Sequence, residues 1–209
     1  MTLTTSVDQQ EWAALTQRWG AVPLDHHRLA VAHPFLSGDH QQLVSDGRRA
    51  EICYVMHRGD PADGVLFHIK RFYPAGAYRL PTGGIHQGQS VLDTLAREIY
   101  EETGLHVGDT PDAVQVERFL GALSYLFCHP QLGERNFATY HFLVRMPEGA
   151  TLNPQDETEQ IADWRWLPRE ELSAAGDRLA SVDEAYPRWR DWGKFRALSH
   201  YFVAAALSA

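Results

Sequence analysis

Residues 83–105 read GGIHQGQSVLDTLAREIYEETGL, and the rest of the chain is best understood outward from them. A glycine-rich turn runs straight into a segment with helical periodicity over 91–103. Leu92, Leu95, Ala96 and Ile99 form one apolar stripe. Ser90 can cap the helix, and Asp93 stands where a capping-box acid belongs. Gly104 suits a left-handed helix end.

The same helix carries Glu98, Glu101 and Glu102. At about 100° per residue, the first and last lie about 40° apart and the middle one about 60–80° from each. All three carboxylates therefore fall on one side, next to the apolar stripe. They also crowd the negative end of the helix dipole, where they repel one another and the dipole. A solvated acidic face has the same residue pattern. The alternative is a seat for a cation, and carboxylate oxygens suit hard ions such as Mg²⁺ or Mn²⁺. Such an ion would support phosphoryl chemistry by shielding phosphate charge and lowering the pKa of a bound water.

Upstream, residues 8–19 (DQQEWAALTQRW) read as a short amphipathic helix closed by Gly20 and Pro23, and 24–46 read as irregular. Residues 51–57 (EICYVMH) and 64–73 (GVLFHIKRFY) are strand-like, separated by turn material at 59–64. Tyr78-Arg79-Leu80 reads as a short strand stopped by Pro81. Downstream, 114–128, 137–146 and 163–167 read as strands, and Pro168 as the first helical residue of PREEL. From Trp192 to Leu207, Phe195, Leu198, Phe202 and Ala205 recur at helical spacing. This order predicts an α/β layered domain at 46–173, an N-terminal helix and irregular extension at 1–45, and a C-terminal helical extension at 174–209 packed on it.

The chain has 209 residues, 44% hydrophobic and 22% charged, which excludes wholesale disorder. No run reaches the roughly 18 apolar residues of a membrane helix, and the first residues do not resemble a secretory signal. Two cysteines make neither a disulfide framework nor a four-cysteine zinc site. The cytoplasm is the expected compartment and no membrane is an expected partner. A net charge of −8 argues against bulk nucleic acid as a partner.

The stretch 83–105 resembles the Nudix box, G-x5-E-x7-R-E-U-x-E-E-x-G-U, with U a bulky aliphatic residue. Gly83, Arg97, Glu98, Ile99, Glu101, Glu102, Gly104 and Leu105 match in order and spacing, and Gln89 stands where the family has Glu. On these residues the chain is identified as a member of the Nudix superfamily. The resemblance implies an α/β/α sandwich around a mixed sheet, with the N- and C-terminal helices as additions. It implies Mg²⁺- or Mn²⁺-dependent hydrolysis of a nucleoside diphosphate linked to another moiety. Glu98, Glu101 and Glu102 match the metal-binding glutamates and Arg97 the arginine that orients them. A backbone carbonyl near Thr82 is implied as a further ligand. Gly83 and Gly84 belong to the loop before the helix, and His86 sits where many members carry an acid, so these three are candidates to meet the substrate. Family members use as general base either a glutamate in the box or one on a later loop. Here that loop is 156–160, with Glu159 favoured over Glu157. Gln89 is expected to accept a hydrogen bond from Arg97 without neutralising it.

The substrate is less legible. Leu120 and Gly121 occupy the positions where a proline or a tyrosine marks two subfamilies. Nucleoside-diphosphate sugars such as ADP-ribose rank first, then dinucleoside polyphosphates and nucleoside triphosphates. The alternatives are a non-catalytic nucleotide-sensing module and hydrolysis at RNA 5′ ends. Tyr125, Phe127, Phe137 and Tyr140 are candidates either to stack on a base or to fill the core. The terminal segments are candidates for a homodimer interface or a lid, as in other members.

Overall fold

In chain order the elements are α1 (Gln9–Trp19), β1 (Leu24–Ala30), β2 (Arg48–His57), β3 (Val65–Lys70), β4 (Thr82–His86), α2 (Val91–Thr103), β5 (Gln115–His129), β6 (Gly133–Arg145), β7 (Ile161–Leu167), α3 (Glu171–Ala180) and α4 (Arg190–Ala206). They come from a computed structural model, which describes residues 7–32 and 47–208. The strands form one mixed sheet in the order β1-β5-β6-β2-β3-β7, with β4 paired to β2 off this path.

β2 organises the sheet. One edge runs parallel to β6, with Glu51 opposite Thr139 and His57 opposite Arg145. β2 also pairs antiparallel with β4, from Arg48 opposite His86 to Cys53 opposite Thr82, and at its end His57 meets Val65 of β3. β3 continues away from β2 and pairs antiparallel with β7. The segment that follows β4 enters α2 directly.

Alternation along the strands sorts the core into two layers. Ala50, Ile52, Tyr54 and Met56 of β2 face Val91, Leu95 and Ile99 of α2 and Leu15 of α1. Cys53 and Val55 face the other way, into a layer with Leu172, Ala175 and Leu179 of α3 and Trp192, Phe195, Phe202 and Val203 of α4. The result is the expected α/β/α arrangement. Leu95 and Ile99 are essentially inaccessible. Each contributes roughly 1.5–3 kcal/mol of apolar burial that fixes α2 on the sheet.

Three expectations are corrected. Residues 24–30 are a strand, not irregular, and pair in parallel with β5 from Leu24 opposite Ala122 to Ala30 opposite Cys128. The sequence LDHHRLA lacks a strand signature because an edge strand with exposed polar residues is held by its backbone bonds; such charges also discourage further pairing. Residues 33–46, the remainder of the segment read as irregular, lie outside the described residues. Tyr78-Arg79-Leu80 makes only an isolated bridge, in which Arg79 and His68 exchange both backbone hydrogen bonds. Pro168 precedes its helix: its carbonyl accepts from the Glu171 N–H in a turn, and α3 then runs across residue 173 to Ala180. Of the two roles left open for Tyr125, Phe127, Phe137 and Tyr140, core filling is the one observed: all four are fully buried, and none is placed to stack on a base. Among the described residues no helix is long and apolar enough to cross a membrane.

The layer beneath α4 holds buried histidines. The His200 Nε2 accepts from the Leu80 N–H (3.1 Å), which leaves Nδ1–H to donate to the Arg196 carbonyl (2.9 Å). His141 Nε2 lies 3.0 Å from the Ser199 hydroxyl. Burial pushes His200 down to about 4 and His141 to about 3. The folded chain keeps both neutral, whereas the unfolded chain protonates them below about pH 6.5. Their contribution is therefore intact above that pH and is lost as pH falls toward 4. Each adds a slope of roughly 1 kcal/mol per pH unit in that window. Thermal melts should show a marked fall in Tm between pH 7 and pH 5, and His141→Gln should flatten it. An equal slope in the variant would exclude His141 as a contributor.

Candidate active site

The site begins where β4 passes α2. A Cβ on Gly83 would lie 1.9 Å from Cγ of Glu98, so only glycine lets that carboxylate side chain rest against the strand. A Cβ on Gly84 would come within 2.8 Å of Nε of Arg48. The pair thus admits a carboxylate at one position and a guanidinium at the next. Ser90 then caps α2: its Oγ accepts from the Asp93 N–H (3.1 Å) and donates to the Asp93 carboxylate (2.7 Å). Gly104 ends the helix at φ 75°, its N–H bonded to the Tyr100 carbonyl.

The end of α2 captures a distant loop. The Thr103 carbonyl accepts from the Asn153 N–H (2.8 Å), and the Glu101 carbonyl accepts from Gln155 (2.9 Å) and Asp156 (3.2 Å). The chain then makes a 3-10 turn over Glu157–Glu159, capped by Asp156 and closed by Gln160 at φ 52°. Gln160 is the one non-glycine residue with positive φ among the described residues. Such a conformation is uncommon and is held here by the turn around it.

These connections bring Glu98, Glu101 and Glu159 together, with one carboxylate oxygen of each within 4.8 Å of the others. Glu157, the other acid considered on that loop, is exposed and outside this group. Arg97 clamps two of the three. Its Nη2 lies 2.8 Å from Glu98 Oε1 and its Nη1 2.7 Å from Glu101 Oε2. Nη2 also donates to the Gly84 carbonyl at 3.1 Å. Burial works against the Arg97 charge, but Glu98 and Glu101 hold its pKa above the ordinary value. For Glu98, burial and then the neighbouring Glu102 push the carboxyl up to about 8.

Glu102 is placed differently from its two companions. It is fully buried, and the Tyr54 hydroxyl donates to its Oε2 at 2.6 Å. Its Oε1 has no hydrogen-bond partner, with Lys70 Nζ at 3.5 Å and His68 Nδ1 at 3.8 Å. Burial raises its pKa and Lys70 opposes the shift. Lys70 also ion-pairs with Glu159. Thr82 is buried at the start of β4, and its hydroxyl accepts from Arg79. His86 ends β4, and its N–H donates to the Gln89 side chain across the turn that follows (3.1 Å).

That last bond corrects the expectation for Gln89. Its amide oxygen serves the loop backbone, not Arg97, whose donors already have Glu98, Glu101 and Gly84. The sequence reading also missed Lys70, Tyr54 and His68. Lys70 ends the apolar run GVLFHI, and a charge closing a buried strand is the one signal that pointed to it.

A carboxylate trio at mutual distances of a few ångströms, braced by one guanidinium, fits a hard divalent cation by the chemistry of its donors. The NUDIX domain family model matches residues 46–192, which include β4, α2 and the Glu159 turn. The chain belongs to the NUDIX family. Among relatives, this NUDIX chain is 30% identical over 162 residues to a protein named MutT4 from Mycobacterium tuberculosis, covering 75% of this chain and 54% of that one. It is 26% identical over 102 residues to an RNA pyrophosphohydrolase of Bartonella clarridgeiae, covering 46% of this chain and 58% of that one. The chain thus spans little more than half the length of these two relatives. A solved structure of the E. coli dihydroneopterin triphosphate pyrophosphohydrolase aligns with 66% of this NUDIX chain and 95% of its own at 14% identity and a TM-score of 0.45.

Proposed function

We propose that the protein is a metal-dependent pyrophosphohydrolase acting on a small nucleoside diphosphate derivative, with nucleoside-diphosphate sugars such as ADP-ribose first among the candidates. The observation that carries this reading is the convergence of Glu98, Glu101 and Glu159 from a helix and a separate loop onto one point. These three would hold Mg²⁺ or Mn²⁺, with Glu102 behind them and the Thr82 carbonyl as a further candidate ligand. The ion would shield phosphate charge and lower the pKa of a bound water. Arg97 would orient two carboxylates while its donor to the Gly84 carbonyl ties α2 to β4. Gly83, Gly84 and His86 lie on β4, not on the loop expected from the sequence, and are the candidates on that strand to meet the diphosphate. Glu159, on its own turn, is the candidate general base.

Hydrolysis at RNA 5′ ends is a second reading. The name of the Bartonella relative favours it, and the net charge of −8 opposes it. A panel of ADP-ribose, diadenosine tetraphosphate, dGTP and 5′-triphosphorylated RNA, with Mg²⁺ or Mn²⁺, decides between them. ADP-ribose should be cleaved to AMP and ribose 5-phosphate fastest. Faster release of pyrophosphate from the RNA would establish the second reading. Metal-independent binding of a panel member without turnover of any would replace both with a nucleotide sensor.

A further inference from the structure

We propose that His200 is a positioning residue for the metal seat: through its bond to the Leu80 N–H, α4 sets where the Thr82 carbonyl stands relative to the carboxylates. The inference rests on the metal seat proposed above and deepens it.

The face of α4 that meets the sheet carries three buried polar residues, Arg196, Ser199 and His200. Burying such groups is costly unless each is answered, and each is answered by a different part of the sheet. Arg196 Nη1 meets Glu51 of β2 (2.7 Å), Ser199 meets His141 of β6 (3.0 Å), and His200 Nε2 accepts from the Leu80 N–H ahead of β4 (3.1 Å). The family match ends at residue 192, so all three lie beyond it.

The His200 contact leads straight to the seat. Leu80 stands two residues before Thr82, and Pro81 between them has no N–H to hold the chain. The Leu80 carbonyl accepts from Arg79 Nη1 (2.8 Å), and the Pro81 carbonyl from the Tyr54 N–H (3.2 Å). Tyr54 also holds Glu102 through its hydroxyl. The Thr82 carbonyl shares a peptide unit with Gly83, which lies against Glu98 with no room for a Cβ. A shift at the entry to β4 therefore moves that peptide against Glu98. His200 is suited to prevent it. Its Nδ1–H donates to the Arg196 carbonyl (2.9 Å), which fixes the ring and turns the Nε2 lone pair toward Leu80. Backbone carbonyls inside α4 are taken up by the helix itself, so a side chain has to supply this acceptor.

Two amides divide the imidazole for the test. His200→Gln keeps an acceptor at the reach of Nε2, whereas His200→Asn keeps a donor only at the reach of Nδ1. Mn²⁺ is titrated into the full chain without nucleotide, and free Mn²⁺ is read by its EPR signal. The Kd should rise about tenfold in His200→Asn and stay within about threefold of wild type in His200→Gln, since partners one step removed from a metal are typically worth 10- to 100-fold. Ser199→Ala, which loosens the same helix at β6, should bind as wild type does. Equal affinity in His200→Asn and wild type would overturn the proposal, as would an equal loss in His200→Gln or Ser199→Ala. If the asparagine variant does not fold, the wild type carries the test, because coupling between two sites is reciprocal: Mg²⁺ should slow exchange of the Leu80 amide about tenfold more than that of the Val31 amide. The Val31 amide is bonded to the Cys128 carbonyl at the edge of the sheet. Equal slowing of the two, or none, overturns the proposal. Binding of no Mn²⁺ by the wild type would remove the metal seat and this inference with it. The expected order of affinities with no hydrolysis of any nucleotide would keep the role of His200 and reject only the hydrolase reading.

Discussion

Glu98→Gln is expected to lower turnover at least about 100-fold, and at the same time to raise the Tm of the metal-free protein above neutral pH. The loss follows from its place in the carboxylate trio. Partners one step removed from a metal typically cost 10- to 100-fold when changed, so a direct ligand stands at or beyond the upper end. The gain follows from the burial of the same group. Glu98 is only 5% exposed, lies against Gly83, and its carboxyl is pushed up to about 8. Between the ordinary glutamate value and about pH 8 the folded chain holds a proton that the unfolded chain has released. The stability associated with this group is then full below about pH 4.5 and is lost as pH rises through about 8. Glutamine has no proton to lose and still fits the space. In EDTA at pH 8 the variant should therefore melt no lower than wild type. In Mn²⁺ the order should reverse, because an ion that binds only the folded wild type stabilises it by mass action. Differential scanning calorimetry in the two buffers gives both readings. The same order of Tm in each would show that Glu98 does not hold the ion.

The contrast between Glu98 and Glu102 shows how far sequence reaches here. Helix α2 was legible to the residue, because Ser90, the stripe through Leu95 and Ile99, and Gly104 are local signals that agree. The three glutamates were legible as one face of that helix. Their separation into a pair clamped by Arg97 and a member held by Tyr54 and Lys70 was not. It depends on Tyr54 and Lys70, which arrive from β2 and β3 and leave no mark within the helix. Glu159 could be named as a candidate on its loop, but what brings it to Glu98 is backbone bonding between residues 153–156 and the end of α2. Backbone bonds of that kind are independent of side-chain type. The same reason hid β1, whose LDHHRLA is held by β5 and not by its own propensity. Gln89 illustrates the opposite error. Its family position suggested Arg97 as partner, whereas the local turn to His86 offers its oxygen a nearer donor.

Glu51→Leu should cost about 3–5 kcal/mol, the usual penalty for breaking a buried ion pair from one side. Glu51 is completely buried and sits below α4, where three arginines gather. Its Oε1 accepts from Arg196 (2.7 Å) and the Thr139 hydroxyl (3.0 Å), and its Oε2 lies 2.9 Å from Arg48. Burial would raise its pKa, but Arg196 and Arg48 hold it below the ordinary value. Arg79, the third guanidinium, already donates to the Tyr73 hydroxyl, the Leu80 carbonyl and the Thr82 hydroxyl. Among the described residues Glu51 is the carboxylate in ion-pair contact with the other two. Leucine fills its space and leaves the buried Arg196 and the half-buried Arg48 without the carboxylate that they pair with. For a chain of this size the penalty corresponds to a Tm lower by roughly 10 °C. Glu51→Leu/Arg196→Met should recover much of it, since removing both partners of a buried pair costs far less than removing one. A double variant no more stable than the single would mean that the loss comes from packing. The consequence reaches the active site through Arg48, whose Nε would touch any side chain at Gly84. Gly84 in turn gives its carbonyl to Arg97. Releasing Arg48 should thus loosen the strand that the carboxylate clamp depends on, and turnover in the single variant should fall even at temperatures where it remains folded.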